Sequence, residues 1–449
     1  MDGSFQEINF DGLVGPTHNY SGLSSGNIAS IKYRSIASNP KAAALEGLSK
    51  MKTLMDLGLL QAVVAPQERP HIPTLRSLGF FGTDAKIIEQ AAHNAPDLLR
   101  ALSSASPMWT ANAWTMSPSS DSSDRRAHFS PANLVAKFHR SIEAPFVQKY
   151  LEKVFADKNL FEIHSALPSH SSLGDEGAAN HTRFCPSKSE RGLHFFVFGQ
   201  ASDPKAKGPK KFPARQTELA CQAIARRHLL GQDQVVLAQQ NPIAIDSGAF
   251  HNDVVAVGNQ RFFFFHESAF TQQKKVLKEL QTKAYKLWKT DLKLLEVRNK
   301  DLSLKDAIRS YVFNSQIVTL PDGSSILIAP SECQATPSVK RYLKKILENA
   351  AYFSRIEFLD LRQSMQNGGG PACLRNRVIL NSEQIQSLKG RVLLTPELYA
   401  RLVAWVESHY RDQLRPKDLA DPKLLTENRT ALDSLSKILE LGSIYPFQN

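Results

Sequence analysis

The chain has 449 residues, 42% of them hydrophobic and 22% charged, which is an ordinary composition for a globular protein. The longest apolar runs, at 262–265 and 326–329, are far shorter than the ~18 residues of a membrane-spanning helix. Residues 1–15 lack the basic start, apolar stretch and cleavage site of a signal peptide. We therefore expect a cytoplasmic protein that does not bind membranes.

The formal net charge of +12 at pH 7 raises the question of nucleic-acid binding. The lysines and arginines are scattered, however, and the one dense patch, at 204–211, is interrupted by glycine and proline as a solvated loop is. We do not expect a nucleic-acid partner. A positive field would equally draw a small anionic substrate into a cleft.

The four cysteines are far apart in the chain and form no CxxC pair. This spacing argues against a zinc site and against a disulfide framework. Most of them are expected to be small buried hydrophobic residues, as free cysteines usually are. They are Cys185, Cys221, Cys333 and Cys373.

Apolar residues three and four positions apart predict five helices, which are separated by short strand-like segments. Turn residues between such segments predict two hairpins, one at 254–265 around the Gly-Asn pair 258–259 and one at 315–330 around the Asp-Gly pair 322–323. The predicted helices span 40–58, 83–104, 143–158, 215–231 and 270–288.

Five short segments, TANAW, AANHT, FHNDV, VFNSQ and PACLR, share a layout with a polar residue in third place. Matches this short also arise by chance, but these recur every 60–70 residues or so, as structural repeats do. Such units, each a small sheet with a helix, would stack around a closed axis. We therefore predict an α/β fold with one closed domain over 1–449, although length alone would favour three domains. The third-place residues are Asn112, Asn180, Asn252, Asn314 and Cys373.

Several of these strand openings contain groups suited to catalysis. The stretch NGGGPACLR delivers Cys373 after three glycines, which we expect to let a ligand approach the sulfur closely. The stretch GDEGAANH contains Asp175 and Glu176, and FHND contains His251 and Asp253. A thiol, an imidazole and carboxylates together make a nucleophilic cysteine site, in which the thiolate attacks.

Each of these residues also has a purely structural interpretation. Cys373 could follow a surface turn and be buried, and His251 could be a hydrogen-bonded core histidine. The Asp-Glu pair is typical of a turn or a helix cap, and Asp253 could pair with a nearby arginine. Their joint placement at corresponding points of the repeat favours the catalytic interpretation.

Long stretches of the sequence resemble the succinylarginine dihydrolase family. This family belongs to the guanidino-group-modifying enzymes, together with arginine deiminases and amidinotransferases. The resemblance covers almost the entire chain and implies a pentein-like, five-bladed pseudo-symmetric α/β propeller that forms a homodimer. The matching stretches are 9–30, 103–113, 132–145, 164–181, 212–217, 238–257, 358–375 and 441–448.

The resemblance also implies roles for individual residues. Cys373 would be the nucleophile, with Glu176 and His251 completing the catalytic group, and no metal or cofactor would be required. Gly22 and Gly26 could act as hinges of a lid. The substrate contacts implied are Ser21, Gly22, Leu23, Ser24, Ser25, Gly26, Asn27, Ile28, Ala29, Ser30, Asn112, His139, Arg140, Arg215, Asp253 and Asn367.

The activity implied is hydrolysis of N2-succinyl-L-arginine to N2-succinyl-L-ornithine, two ammonia and carbon dioxide. Arg140, Arg215 and His139 suit the substrate carboxylates, and Glu176 and Asp253 suit its guanidinium. Three alternatives remain: a deiminase that stops after one ammonia, a non-catalytic propeller that binds an anionic ligand, and a nucleic-acid-binding protein. Counting ammonia released per substrate consumed separates the first alternative from a dihydrolase.

Overall fold

A computed structural model describes residues 4–349 and 352–448. Within these residues the strands form five separate three-stranded sheets. In every sheet the first strand of the repeat is antiparallel to the middle strand, which is parallel to the third. The strands are β1 (Phe5–Gly12), β2 (Leu60–Val64), β3 (Trp114–Ser117), β4 (Ala127–Pro131), β5 (Phe161–Ile163), β6 (His181–Phe184), β7 (Leu193–Phe198), β8 (Val235–Gln239), β9 (Ala256–Asn259), β10 (Phe262–His266), β11 (Lys293–Val297), β12 (Gln316–Thr319), β13 (Ser325–Pro330), β14 (Arg355–Leu359) and β15 (Arg375–Asn381).

Four of the five predicted helices are confirmed, with shorter ends. The fifth, at 83–104, is wrong as one helix: it is two, because Pro96 lacks the N–H that would continue the first. The helices are α1 (Ile28–Lys32), α2 (Pro40–Asp56), α3 (Ile72–Ser77), α4 (Asp84–Asn94), α5 (Pro96–Leu102), α6 (Phe138–Ser141), α7 (Ala144–Val154), α8 (Glu218–Arg227), α9 (Pro242–Asp246), α10 (Gln273–Trp288), α11 (Leu304–Ser310), α12 (Glu332–Ala335), α13 (Pro337–Glu348), α14 (Arg362–Asn367), α15 (Ser382–Ser387), α16 (Pro396–His409) and α17 (Pro422–Ile438).

Both predicted hairpins are present, and one of them turns two residues later than predicted. Gly323 lies in the turn between β12 and β13 with φ of 84°, as expected for Asp-Gly. Gly258 instead lies within β9, and the turn follows at Gln260, which has φ of 50°. A Cβ on Gly258 would lie 2.6 Å from the ring of Phe184, so close packing between neighbouring sheets explains this glycine.

The first sheet joins the two ends of the repeat. β15 pairs with β1, with Asp11 opposite Arg375, and β1 pairs with β2. The strand that follows Cys373 therefore belongs to the same sheet as the N-terminal strand. This pairing completes a five-fold, propeller-like arrangement of separate sheets.

The third-place residues of the repeat lie in short turns that come directly before the first strand of each sheet. Hydrogen bonds join these turns to one another: Asn112 Nδ2 donates to the Glu176 carbonyl at 2.7 Å, and the Asn252 amide donates to Asn180 Oδ1 at 2.8 Å. The Cys373 amide donates to Asn314 Oδ1 at 3.3 Å, and its carbonyl accepts from the Ala111 amide at 3.2 Å. The repeat is thus confirmed, and its turns interlock as a ring.

Two helices that the sequence analysis did not assign, α16 and α17, cover the first sheet from outside. Leu402, Trp405 and Leu435 are buried in one apolar core with Met51 of α2. The Trp405 indole also donates to the Ala431 carbonyl at 2.8 Å, which fixes α16 against α17. In the part of the chain that the structure describes, no helix is long and apolar enough to cross a membrane.

Candidate active site

A cavity of about 40 Å³ opens at the ring of turns, beneath the segment 21–30. Cys373 and His251 both line it, at the ends of two different repeats. Residues from outside the ring complete the wall, with Arg140 from α6 and Arg215 from the segment before α8. The ring therefore brings together groups that are far apart in sequence.

The centre of the charge network is Glu176, which lies immediately before a one-turn segment. Its Oε2 accepts from His251 Nε2 at 2.7 Å and from Arg140 Nη1 at 3.2 Å, and Arg215 Nη1 lies 3.9 Å away. All four side chains are buried. Asp175 has a different role, because its Oδ1 accepts from the Gly177 amide and from Gln216, which is the structural interpretation of that residue.

The surroundings favour the ionised form of Glu176 and the neutral form of His251. Burial disfavours the charge on Glu176, but the hydrogen bond from His251 and the Arg140 guanidinium outweigh it and lower its pKa to about 2. Burial lowers the pKa of His251 to about 4, although the Glu176 carboxylate acts in the opposite direction. Near neutral pH the site therefore contains a carboxylate beside a neutral imidazole.

The glycines before Cys373 allow close packing of the loop, and one of them, Gly368, also lines the cavity. A Cβ on Gly368 would lie 2.3 Å from the Asn27 amide, one on Gly369 2.4 Å from the Trp109 ring, and one on Gly370 2.8 Å from Asn314. Gly368 also has φ of 97°, a conformation that ends α14. The glycines let the turn approach neighbouring side chains on several sides.

Cys373 is 4% exposed, and its sulfur lies 3.8 Å from Asp253 Oδ2. Burial and the charge of Asp253 raise the pKa of the Cys373 thiol well above its ordinary value. Burial also raises the pKa of Asp253 to about 7. Our expectation of an ionised sulfur is therefore wrong for the ligand-free protein, because no cation among the described residues lies close enough to outweigh burial.

The segment 21–30 is docked over the cavity by hydrogen bonds at two points. Arg215 Nη2 donates to the Ser25 carbonyl at 3.1 Å, and Lys137 Nζ donates to the Ser25 hydroxyl at 2.6 Å. Asn27 Nδ2 donates to the Gly368 carbonyl at 2.8 Å, which links the segment to the turn before Cys373.

The structure divides the predicted substrate contacts into two groups. Asn112, His139, Arg140, Arg215 and Asn367 line the cavity. Six residues of the segment 21–30 also line it, namely Ser21, Gly22, Leu23, Ser24, Asn27 and Ser30.

The remaining predicted contacts lie elsewhere. Ile28 and Ala29 face a different cavity on the outer side of α1, and Gly26 faces the Phe212 ring. Ser25 is exposed and bonds to Arg215 and Lys137, while Asp253 lies beneath the sulfur. Ile28 and Ala29 lie in the first turn of α1, which packs this side chain pair on its outer side, whereas Ser25, Gly26 and Asp253 lie outside the helix.

Several side chains in the site have buried polar atoms with no hydrogen-bond partner among the described residues. Such atoms are rare in folded proteins, because leaving one unpaired costs about 1–3 kcal/mol. Unpartnered buried atoms also occur elsewhere in the described residues, but the six at this site belong to residues that line one cavity or contact a residue that does, where a ligand can supply their partners. The atoms are Glu176 Oε1, His251 Nδ1, Asp253 Oδ1, Arg140 Nε and Nη2, and Arg215 Nε.

Sequence reasoning missed four residues around the site. Lys137 bonds to Ser25, Trp109 lines the cavity, and the Phe250 ring lies 4.9 Å from the Arg215 guanidinium. Glu143 lies 3.8 Å from Arg140 Nε. Phe250 adjoins His251 in the chain and Lys137 lies two residues before His139, so proximity in sequence was an available signal. Trp109 and Glu143 gave none.

The arrangement of the five sheets matches solved structures of arginine-modifying enzymes. The N-terminal domain of ArgZ, an arginine dihydrolase from Cyanobacteria, superposes with a TM-score of 0.50 at 14% identity, over 84% of this chain and 98% of that domain. Full-length ArgZ gives a TM-score of 0.51, over 84% of this chain and 40% of the longer one. The chain therefore has the α/β propeller fold of this class of guanidino-group-modifying enzymes.

Sequence comparison is more specific. Residues 4–448 match the family described as succinylarginine dihydrolase. The chain is 53% identical over 444 residues to the N-succinylarginine dihydrolase of Photobacterium profundum, covering 99% of both chains. It is 54% identical over 443 residues to that of Pseudomonas fluorescens, covering 98% of this chain and 99% of the relative. The chain belongs to the succinylarginine dihydrolase family, and it is a hydrolase.

Proposed function

We propose that this enzyme hydrolyses N2-succinyl-L-arginine to N2-succinyl-L-ornithine, two ammonia and carbon dioxide, by covalent catalysis at Cys373. The observation that supports this most directly is the set of buried, unpartnered acceptors and donors around the sulfur. Among the described residues, Glu176 Oε1 and Asp253 Oδ1 are free acceptors, as a guanidinium requires. Arg140 and Arg215 have free donors there, as carboxylates require.

The charges of the free site favour a substrate that has both signs. Arg140 and Arg215 both lie against Glu176, so an anion alone would compete with that carboxylate. A substrate that brings its own guanidinium offers Glu176 a replacement partner and frees the arginines for the succinyl and α-carboxylates. His139 would bind through a neutral N–H, because burial lowers its pKa to about 3.

Substrate binding would also activate the thiol. The guanidinium brings a positive charge next to Cys373, which stabilises the thiolate against the burial that opposes it. The neutral imidazole of His251 is suited to accept the thiol proton. Glu176 then stabilises the resulting imidazolium through its hydrogen bond.

In the first cycle the Cys373 thiolate forms a bond to the guanidinium carbon. The His251 imidazolium returns its proton to one amino group, and the carbon–nitrogen bond breaks to release ammonia. Water, deprotonated by His251, attacks the remaining amidino–sulfur adduct, the carbon–sulfur bond breaks and a ureido compound forms. Resonance makes the guanidinium carbon a poor electrophile, so dividing its hydrolysis into two covalent steps replaces one high barrier by two lower ones.

The second cycle repeats these steps on the ureido carbon. Thiolate attack releases the second ammonia and leaves a thiocarbamate on Cys373. Water then releases a carbamate, which decomposes to carbon dioxide and the free amine of N2-succinyl-L-ornithine. The docked segment 21–30 would retain the ureido compound between the two cycles.

The decisive experiment incubates the enzyme with N2-succinyl-L-arginine and, separately, with free arginine, and identifies products by mass spectrometry. We expect two ammonia per succinylornithine formed and little turnover of free arginine. One ammonia per substrate, with a ureido product, would instead establish a deiminase. Acid quenching during turnover should trap an adduct on the peptide that contains Cys373.

We further propose that residues 1–449 form one catalytic domain and that the enzyme is a cytoplasmic homodimer. The ring closed by the pairing of β1 with β15 supports the first statement, since the first and last units of the repeat share a sheet. The family resemblance supports the second. Light scattering coupled to size exclusion would measure the mass, and a monomer at micromolar concentration would contradict the homodimer.

A further inference from the structure

A second cavity, of about 640 Å³, lies on the outer side of α1. It is much larger than the cavity at Cys373, and its volume is within the range of small-molecule binding sites. The proposed reaction does not use it. Its walls come from α1, α11 and α14, with Glu332 of α12 at one side.

The interior of this outer cavity is apolar. Ile28 of α1, Ile308 of α11 and Met365 of α14 line it, and the Tyr33 ring adds to the same surface. Ile28 is 53% exposed, although it lies at the mouth of a concave apolar surface. Extended apolar surface of this kind usually marks a binding site.

The rim of the outer cavity is positively charged. Lys32, Lys305 and Arg309 line it and are exposed, against one acid, Glu332. Within residues 4–349 and 352–448, none of these three cations forms an ion pair. Glu332 offsets them only partly, because burial raises its pKa. An anion placed at this rim would therefore meet cations that no carboxylate among the described residues pairs with.

We propose that the outer cavity binds a small anionic amphiphile, a molecule with one carboxylate, sulfonate or phosphate group on an apolar body of about ten to fifteen non-hydrogen atoms. The apolar body lies against Ile28, Ile308 and Met365. The anionic group lies at Arg309 and Lys305, where the planar guanidinium can bind it through two hydrogen bonds. The contacts that define this binding site do not depend on which reaction Cys373 performs.

Binding there would also act on the catalytic site. α1 forms one wall of the outer cavity and is part of the segment that docks over the active site through Asn27 and Gly368. Tyr311 lines the outer cavity, and its hydroxyl donates to the same Gly368 carbonyl at 3.1 Å. Because α1 forms a wall of the cavity, a ligand in it should stabilise the docked segment, and by linkage it should tighten binding of a substrate that the docked segment covers.

The test uses the anionic probe 8-anilinonaphthalene-1-sulfonate and its uncharged analogue N-phenyl-1-naphthylamine, titrated by fluorescence into the intact enzyme. We expect one saturable probe site. Charge reversal in K305E/R309E should weaken binding of the sulfonate tenfold or more and change binding of the neutral analogue less than threefold. The control K274E/K278E reverses two exposed lysines of α10 and should leave both probes unaffected. Decanoate should displace the sulfonate from the wild type.

Equal sulfonate affinity in the wild type and K305E/R309E would overturn the proposal. So would a concentration-dependent association of the protein that excludes the probe, because a second copy would then fill the cavity. The coupling has its own measurement, in which bound probe should slow amide hydrogen exchange over 22–33 in the wild type and not in K305E/R309E. None of these readouts requires turnover, so the proposal can fail while the proposed reaction stands, and the reverse.

Discussion

The protein contains two buried groups of histidines, and they differ in how their polar atoms are satisfied. Between the second and third sheets, His228 bonds to Ser117 and Ser130 through its two ring nitrogens. His194 lies between His181 and Asp121, at 2.9 and 2.8 Å. At the active site, by contrast, His251 Nδ1 has no partner among the described residues, and neither has Glu176 Oε1.

This difference separates a structural histidine from a functional one better than burial or pKa does. Burial lowers the pKa of His228, His194 and His251 alike. What distinguishes His251 is an unsatisfied nitrogen that faces a cavity next to a thiol. The comparison teaches that an open hydrogen-bond position beside a cavity sets His251 apart from His228 and His194. An unpaired atom alone does not, because Arg183 Nη1 of the structural group also lacks a partner among the described residues.

The largest expected effect tests which buried cysteine is functional. C373A should reduce turnover of N2-succinyl-L-arginine by at least about 10⁴-fold, because the covalent route is lost, while binding remains measurable by calorimetry. The matched control is C221A, which removes a buried thiol on the inner face of α8. It should cost roughly 1 kcal/mol of stability and leave kcat within twofold. Comparable turnover in both variants would contradict covalent catalysis.

The second prediction compares the two buried carboxylates that bond to histidine and arginine. E176Q should reduce kcat/KM by about 10²–10³-fold, because the imidazolium loses its counter-charge. D121N removes the equivalent charge from His194 and Arg183, and should lower stability by about 3 kcal/mol while leaving kcat/KM within threefold. Steady-state kinetics and urea unfolding measure both variants. If D121N lost activity as E176Q does, the distinction between the two groups would be wrong.

The third prediction uses pH. Burial keeps His228 and His251 neutral in the folded state just below pH 6.5, where histidines of the unfolded chain bind protons. Their contribution to the free energy of unfolding is therefore complete above pH 6.5 and is lost as the pH falls. When the pH falls from 7.5 to 5, the free energy of unfolding should decrease in the wild type by about 2 kcal/mol more than it does in H228Q or in H251Q.

The same two variants separate structure from function. Only H251Q should reduce turnover, by about 10²-fold or more, because only His251 handles protons in the proposed reaction. Urea unfolding at pH 7.5 and at pH 5 gives the change in the free energy of unfolding with pH. Ammonia release at pH 7.5 gives the activity. If the free energy of unfolding of H228Q changed with pH as much as that of the wild type, His228 would already bind a proton in the folded state.

The smallest effect concerns the docked segment. Gly248 has φ of 107°, and a Cβ there would lie 2.8 Å from Ile28 Cδ1, so G248A should turn the exposed Ile28 side chain away, loosen this end of α1 and raise KM about two- to threefold. Gly79 has φ of 93° with open space around it, which makes G79A the control for backbone strain alone. Both variants should lose about 1 kcal/mol of stability, and only G248A should change KM. An unchanged KM in G248A would show that the contact between α1 and Gly248 does not affect substrate binding.

Much of the architecture was predictable because each repeat unit has local signals. Helical periodicity located α2, α7, α8 and α10, and the Asp-Gly pair located the turn before β13. The signal failed where packing overrode it, as at Gly258, which is a strand residue because Phe184 occupies the space of its side chain. Pro96 was a local signal that periodicity alone ignored.

The proximity of the candidate site residues was predictable, and their electrostatics less so. Sequence placed Cys373, His251 and Glu176 at one ring because each lies at, or within four residues before, the third-place residue of a repeat, and the family resemblance implied their roles. It could not show that the sulfur is protonated in the free protein, since burial and the distance to Asp253 decide that. Nor could it show that Ile28 faces away from the site, because the direction of α1 depends on its contacts with Gly248 and Gly368.

The order of residues along the chain thus determined five repeat units and the chemistry at the tip of each, because these depend on neighbours in sequence. The tertiary structure alone decided the distances between those tips, which side chains stay neutral and which atoms remain unpaired. Those properties depend on groups that meet only when β15 pairs with β1 and brings the two ends of the repeat together.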